Sequence, residues 1–344
     1  MIRSHALIAI AALLALPASA AAASAAPPPR AADGHADFSG VWTNASVTHL
    51  ERPQGLSRLV VGKAEAEAFA KATPMVRRLD NDAQRSDAEA AAPPPGDPGG
   101  YNAYWLDPGR TMGQVKGEFR SSWIVDPADG QLPLSPAGRV LVAKANAYAR
   151  AADTPAGPDV MQPWDRCLIA SRGSGGPGML NNIYNSNYQI VQTPGSVAIV
   201  VEMIHDARNI PIFPSKAAAQ AGHGPAALHP WLGDSTGWWE GPTLVVETIN
   251  VNPLQGRQGP TPLSPRGRVV ERFTRASDKA IDYAFEVDDP VNYTRPWRAE
   301  LTLTAQQGLS YEFACHEGNY AIQGILSGAR AAERAAPQPA RADR

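Results

Sequence analysis

Val269-Val270-Glu271-Arg272-Phe273-Thr274-Arg275, Ala280-Ile281-Asp282-Tyr283-Ala284-Phe285-Glu286-Val287 and Trp297-Arg298-Ala299-Glu300-Leu301-Thr302-Leu303-Thr304 decide the fold. Turn-type residues, Ala276 to Lys279 and Asp288-Asp289-Pro290, separate them. In the second run Tyr283, Phe285 and Val287 alternate with Asp282, Ala284 and Glu286. In the third, Leu301 and Leu303 alternate with Thr302 and Thr304. A period of two is the mark of a sheet with one buried face. Leu309 to Ala314 reads as a further strand after Gln306-Gln307-Gly308.

Upstream the same texture continues. Tyr188–Gln192 and Val197–Met203 flank Thr193-Pro194-Gly195 as a hairpin, and Asn209–Phe213 is short and extended. Gly237–Glu240 and Thr243–Asn250 flank a tight Gly241-Pro242 turn. Arg120–Val125 reads as a strand closed by the turn Asp126 to Gly130. So many consecutive strands form an antiparallel meander, which must hide its edges by closing into a barrel or stacking as two sheets. The expected fold is mainly β, barrel-like or two-sheet, with helical insertions near the N-terminus. Lys63–Ala72 and Asp80–Ala92 are rich in helix formers, as is Gly138–Ala151. Pro93–Gly100 is a loop or linker.

The N-terminus begins with Arg3, an apolar run Ala6–Leu16, Pro17 and Ala18-Ser19-Ala20. That order is read as a secretory signal peptide over residues 1–26. The competing reading, a membrane anchor, needs ~20 apolar residues where this run has about eleven. Residues 27–36 are expected to be a disordered leader, 37–330 one β-rich domain with an insertion at about 53–100, and 331–344 a disordered tail. The expected location is periplasmic or secreted, with no membrane span after signal removal. A net charge of −2 over 344 residues offers no basic excess for nucleic acid.

Two cysteines, Cys167 and Cys315, are expected to form one disulfide in an oxidising compartment. The alternatives are a reactive thiol or a metal pair. Other chemistry-bearing groups stand beside them. Cys315-His316-Glu317-Gly318-Asn319-Tyr320 is the densest: His316 can carry protons, Glu317 can orient it, and Asn319 and Tyr320 offer neutral hydrogen bonds. Glu202 to Arg208 ends an apolar strand; alternation points Glu202 inward, with Arg208 as its expected partner, and leaves His205 on the other face. Asp234 to Glu240 holds two tryptophans of opposite direction and two acids, Asp234 and Glu240, which could be paired carboxylates. Asp288-Asp289 reads as a turn cap, and Arg295 as a cation near Tyr293 and Trp297. No nucleophile elbow, zinc helix, phosphate loop or dinucleotide fingerprint occurs, so no cofactor is expected. A metal held by His205 and His316 with Glu202 or Glu317 is the weaker reading.

Several phrases carry a resemblance. They are Trp123-Ile124-Val125-Asp126-Pro127, Arg166-Cys167, Tyr188 to Gln192, Gly233-Asp234-Ser235, Trp239-Glu240-Gly241, Tyr293 to Trp297, and above all Cys315 to Tyr320. Over about 101–330 the chain resembles a family of exported bacterial proteins of unassigned activity, in which an acid usually stands where this chain has Pro242. Gly40-x-Trp42 resembles the opening strand of lipocalin-like barrels. The resemblance implies export and a shared fold, and no reaction.

From the residues, the expected function is small-molecule binding in an internal pocket. Trp239, Tyr184, Tyr188 and Tyr320 would be its walls, His205, His316, Glu317 and Glu202 its polar centre, and Arg208 or Arg295 its cation. The protein would then be a binding protein, hydrolase or lyase. The alternative is a non-catalytic envelope binding or structural module.

Overall fold

The computed structural model describes residues 28–84, 106–149, 156–170, 172–256 and 259–335. The signal-peptide stretch 1–26, residues 85–92 of the charged stretch 80–92, the loop 93–100 and residues 336–344 of the tail lie outside these residues.

Among the described residues thirteen strands form two sheets. In chain order they are β1 Gly40–Thr43, β2 Val60–Val61, β3 Gln114–Val115, β4 Glu118–Arg120, β5 Ile124–Asp126, β6 Asn187–Thr193, β7 Ser196–Val201, β8 Ala207–Phe213, β9 Asp234–Glu240, β10 Thr243–Ile249, β11 Arg268–Ser277, β12 Ala280–Asp288 and β13 Trp297–Ala305. The helices are α1 Lys63–Ala72, α2 Pro74–Gln84, α3 Pro136–Ala149, α4 Arg172–Gly175, α5 Lys216–Ala221, α6 Pro253–Gly256 and α7 Ala321–Ala335.

Nine strands close a barrel in the order β1-β6-β7-β8-β9-β10-β11-β12-β13, and β13 returns to β1 through Trp42↔Ala305 and Thr43↔Thr304. The N-terminal half of β13 instead pairs with β5. Closure satisfies the backbone groups that an open meander would expose. The barrel is mixed rather than purely antiparallel. β8 and β9 run parallel, because the connection between them carries α5 across the outside of the wall.

Period-two patterning explains the interior. β12 alternates buried and half-buried along its whole length, with Ile281, Tyr283, Phe285 and Val287 inside. Trp42, Tyr188, Val201, Phe273, Trp297 and Leu301 meet them there and share one core. Burying each large apolar side chain contributes ~1.5–3 kcal/mol. A second, smaller core lies under the three-stranded sheet β2-β4-β3. There Ala66 and Ala70, one turn apart on α1, pack with Val61, Val47 and Met112. The β3–β4 hairpin turns on Lys116 and Gly117, both at positive φ (52° and 81°), the geometry of a two-residue type I′ turn.

Three expectations are corrected. Leu309–Ala314 is not a strand but irregular chain, since β13 already spends its free edge on β1 and β5. Arg120–Val125 divides between two sheets: Ser121 and Ser122 bond through their hydroxyls to Arg58 O and Ile124 O, and the chain bends between β4 and β5. The segment after residue 27 is folded back as a strap. Arg30 bridges Ala36, and Gln192 both donates to Ala36 O and accepts from the Phe38 amide.

Candidate functional site

The barrel interior carries a polar cluster within its apolar core. Arg208 on β8 and Glu271 on β11 form a fully buried ion pair, with Arg208 Nη1 3.0 Å from Glu271 Oε1. The guanidinium also reaches Ser235 Oγ at 3.4 Å and Thr248 Oγ1 at 3.3 Å. Tyr283 donates to Glu271 Oε1 at 2.5 Å and accepts from the Met179 amide at 2.9 Å. Burial opposes the charge on Arg208, and Glu271 outweighs that, holding its pKa above the ordinary value. Burial and then Glu271 push Tyr283 well up, so its phenol stays a donor. Desolvation likewise raises Tyr188, whose hydroxyl meets Asn44 Nδ2 at 3.2 Å and Ser174 O at 3.1 Å. The segment Ser174–Met179 lies over this cluster; a Cβ on Gly176 would stand 2.9 Å from Arg208 Nη1, so glycine is required there. These groups bond to one another, and the centre of the barrel is filled by a packed polar cluster.

The expected pairing of Arg208 with Glu202 is therefore corrected: Arg208 turns into the barrel toward Glu271, and Glu202 takes the Asn187 side-chain amide instead. Glu271 went unread in the sequence, although Val269, Glu271 and Phe273 share one strand face and an acid in that row signals an internal partner.

The other predicted residues divide among three places. Trp239 faces inward at a barrel end, with His35 of the strap stacked on it at 4.2 Å and 6° and Phe38 at 5.9 Å. Asp234 and Glu240 both lie on the outer face of β9. Six residues of strand separate them by about 20 Å, whereas glycosidase carboxylates stand ~5–9.5 Å apart. Glu240 accepts from Arg272 at 2.8 Å and Trp238 at 2.9 Å, which lowers its pKa. Arg295 pairs with Asp126 at 3.0 Å on the surface.

Asp234 instead belongs to a cluster that no sequence pattern announced. His223 Nδ1 lies 3.1 Å from Asp234 Oδ2, and its Nε2 is 3.3 Å from Thr236 Oγ1 and 3.5 Å from Glu247 Oε1. Hydroxyl, imidazole and carboxylate in line resemble a nucleophile with its base. Thr236 is buried, however, so a substrate carbonyl has no approach to its oxygen. The cluster fastens the α5 connection to the wall, together with Gln220 and Arg268 on Glu247.

The remaining residues gather at one corner. Cys167 and Cys315 form a disulfide with an S–S distance of 2.01 Å. Asn319 Nδ2 lies 3.3 Å from Cys167 Sγ. Three residues further on, the Ala170 amide donates to Asp206 Oδ2 at 2.7 Å. The Glu202 amide donates to Asn187 O at 3.0 Å. Thus the segments 167–170, 182–187, 202–206 and 315–319 are tied together, and two of the predicted groups share one region. The turn there is strained: Ile204, β-branched and buried, sits at φ 56° and ψ 22°, a conformation costing ~1–3 kcal/mol. His205 ends that turn. Tyr184 is half-buried against the core.

His316 and Glu317 are exposed, and neither side chain has a hydrogen-bond or ion-pair partner among the described residues. Tyr320 is 76% exposed, as is Tyr311, and Leu309 is 79% exposed. Trp164 and Leu168, on either side of Cys167, are exposed to a lesser degree, as is Ile325 on α7. Arg330 of α7 donates to Ala156 O, which holds the helix along the same segment. Among the described residues no helix is long and apolar enough to cross a membrane, and no group of three or more His, Cys, Asp or Glu side chains could hold a metal ion. No known protein family, characterised protein or solved structure matches the chain.

Proposed function

We propose that the protein is an exported, non-catalytic binding barrel that takes an apolar, ring-bearing small molecule at its disulfide corner. One observation carries this reading. Trp164, Leu168, Leu309, Tyr311 and Tyr320 are large and exposed, and all stand on the two segments that the Cys167–Cys315 bond joins. Apolar surface that a fold keeps in water at one place marks an interaction site. Tyrosine and tryptophan suit rings, since they give broad faces at low entropy cost. The disulfide supports binding because it fixes two irregular segments before a ligand arrives. A hydrolase or lyase reading would need His316 held by an orienting partner, and the exposed His316 and Glu317 give it less support. The disulfide and the N-terminal apolar run support export.

The test is a calorimetric titration of the purified protein with a hydrophobic ring probe such as naphthol. The reading expects saturable binding that Tyr311→Ser with Tyr320→Ser weakens about tenfold or more, while His316→Ala leaves it unchanged. Equal binding by the tyrosine variant, or none by the wild type, overturns it. Turnover of an aromatic ester that His316→Ala abolishes would replace it with the catalytic reading.

A further inference from the structure

Away from the corner, a cleft of about 440 Å³ opens between the barrel wall and the small sheet, within the size range of small-molecule sites. Its barrel side is the outer face of β12 and β13, with Asp282, Thr302 and Thr304, joined by Thr43 at the end of β1. Its far side is the chain from Thr111 to Gln114 and the hairpin tip Lys116-Gly117. Gly113 is required beside it, because a Cβ there would meet the Trp123 ring at 2.0 Å.

Three features point to a ligand. The cleft contains one acid and one base, Asp282 and Lys116, so its lining carries no net charge. Nearly everything else polar in it is a hydroxyl or an amide, while Ala45, Met112, Ala276 and Ala280 give an apolar strip. One lining oxygen is incompletely bonded: Thr302 Oγ1 is buried with no hydrogen-bond partner in the protein. Buried polar atoms are nearly always paired, so this oxygen is open to a ligand's hydrogen bond.

We propose that this cleft binds a neutral polyhydroxy compound of saccharide size. Asp282 accepts from its hydroxyls, Thr302 lies along the same wall, and Lys116 on the hairpin tip faces Asp282 across the opening. The class follows from the charge balance. A cationic ligand would compete with Lys116 for Asp282, and an anionic one would be repelled by it. Hydroxyls can both donate to Asp282 and exchange hydrogen bonds with threonines, and a sugar ring's C–H face matches the apolar strip. Burial raises the Asp282 pKa, with Lys116 opposing and Glu300 adding to the shift, so a bound donor would favour its charged form.

The site is independent of the disulfide corner, and its test separates the two. Glucose, glucosamine and glucuronate are titrated calorimetrically into the purified protein and into Asp282→Asn, Thr302→Val and Thr304→Val, each checked by circular dichroism for folding. Expected is saturable binding of glucose, weakened about tenfold or more by Asp282→Asn and unchanged in the Tyr311→Ser, Tyr320→Ser variant. Thr304 is exposed, so its variant keeps the test alive if Thr302→Val does not fold. Absence of glucose binding overturns the proposal. So do equal affinities in all folded cleft variants, or binding of glucosamine or glucuronate alone.

Discussion

At the scale of single residues, the strongest commitment is the pair Arg208–Glu271. Each charge is sealed from water, so removing one partner leaves the other uncompensated. Arg208→Met should cost about 3–5 kcal/mol, read by urea unfolding. Arg208→Met combined with Glu271→Leu should recover most of that loss, because the remaining cost is packing rather than a buried charge. A double variant no more stable than the single one would deny that the pair is coupled. Asp282 gives a pH prediction. Its pKa is raised in the fold, so between the ordinary and the raised value the folded protein holds a proton that the unfolded chain has released. Stability therefore falls as pH rises through that window. Asp282→Asn should raise the thermal midpoint at neutral pH, and the gain should close below the usual carboxylate range. Much of this was legible in the strand pattern, which placed Tyr283, Phe285 and Val287 inside. The partner of Arg208 was not, because alternation assigns a face but not which opposite strand supplies the counter-charge.

At the scale of elements, the disulfide corner and the α5 connection hold irregular chain to the barrel in different ways. The Cys167–Cys315 link closes a separation of 148 residues. In the chain-entropy account, Cys167→Ser with Cys315→Ser should lower stability by ~4–5 kcal/mol. Limited proteolysis should then cut within 306–320, whereas the wild type resists; an unchanged digestion pattern would mean that the segment is held by packing alone. The α5 connection depends on His223 between Asp234 and Glu247. His223→Ala should cost ~1–3 kcal/mol by leaving the buried Glu247 carboxylate short of a partner, visible as faster amide exchange in 216–224. The sequence announced the hairpins, since Thr193-Pro194-Gly195 and Gly241-Pro242 are local turn chemistry. It misjudged Leu309–Ala314, where a strand-like composition found no free edge to join.

At the scale of the whole molecule, the barrel depends on its seam. Trp42 on β1 is buried beneath Arg275, whose guanidinium lies 4.3 Å from the ring centre, and its indole nitrogen donates to Phe38 O at 2.9 Å. Trp42→Ala should cost ~3–5 kcal/mol and loosen exchange along both β1 and β13. Loosening confined to β1 would show that the closure is not cooperative. The alternating apolar and polar residues from Tyr188 onward determined, without any tertiary information, that the chain makes strands with one dry face and must hide their edges. Only the tertiary structure decided the rest: that β13 returns to β1, that β8 and β9 run parallel, and that the buried charges pair as they do. The physical reason is range. Periodicity and turn residues act between near neighbours in the chain, while closure, crossover and counter-charge are contacts between residues far apart in sequence, selected by packing and desolvation after the strands have met.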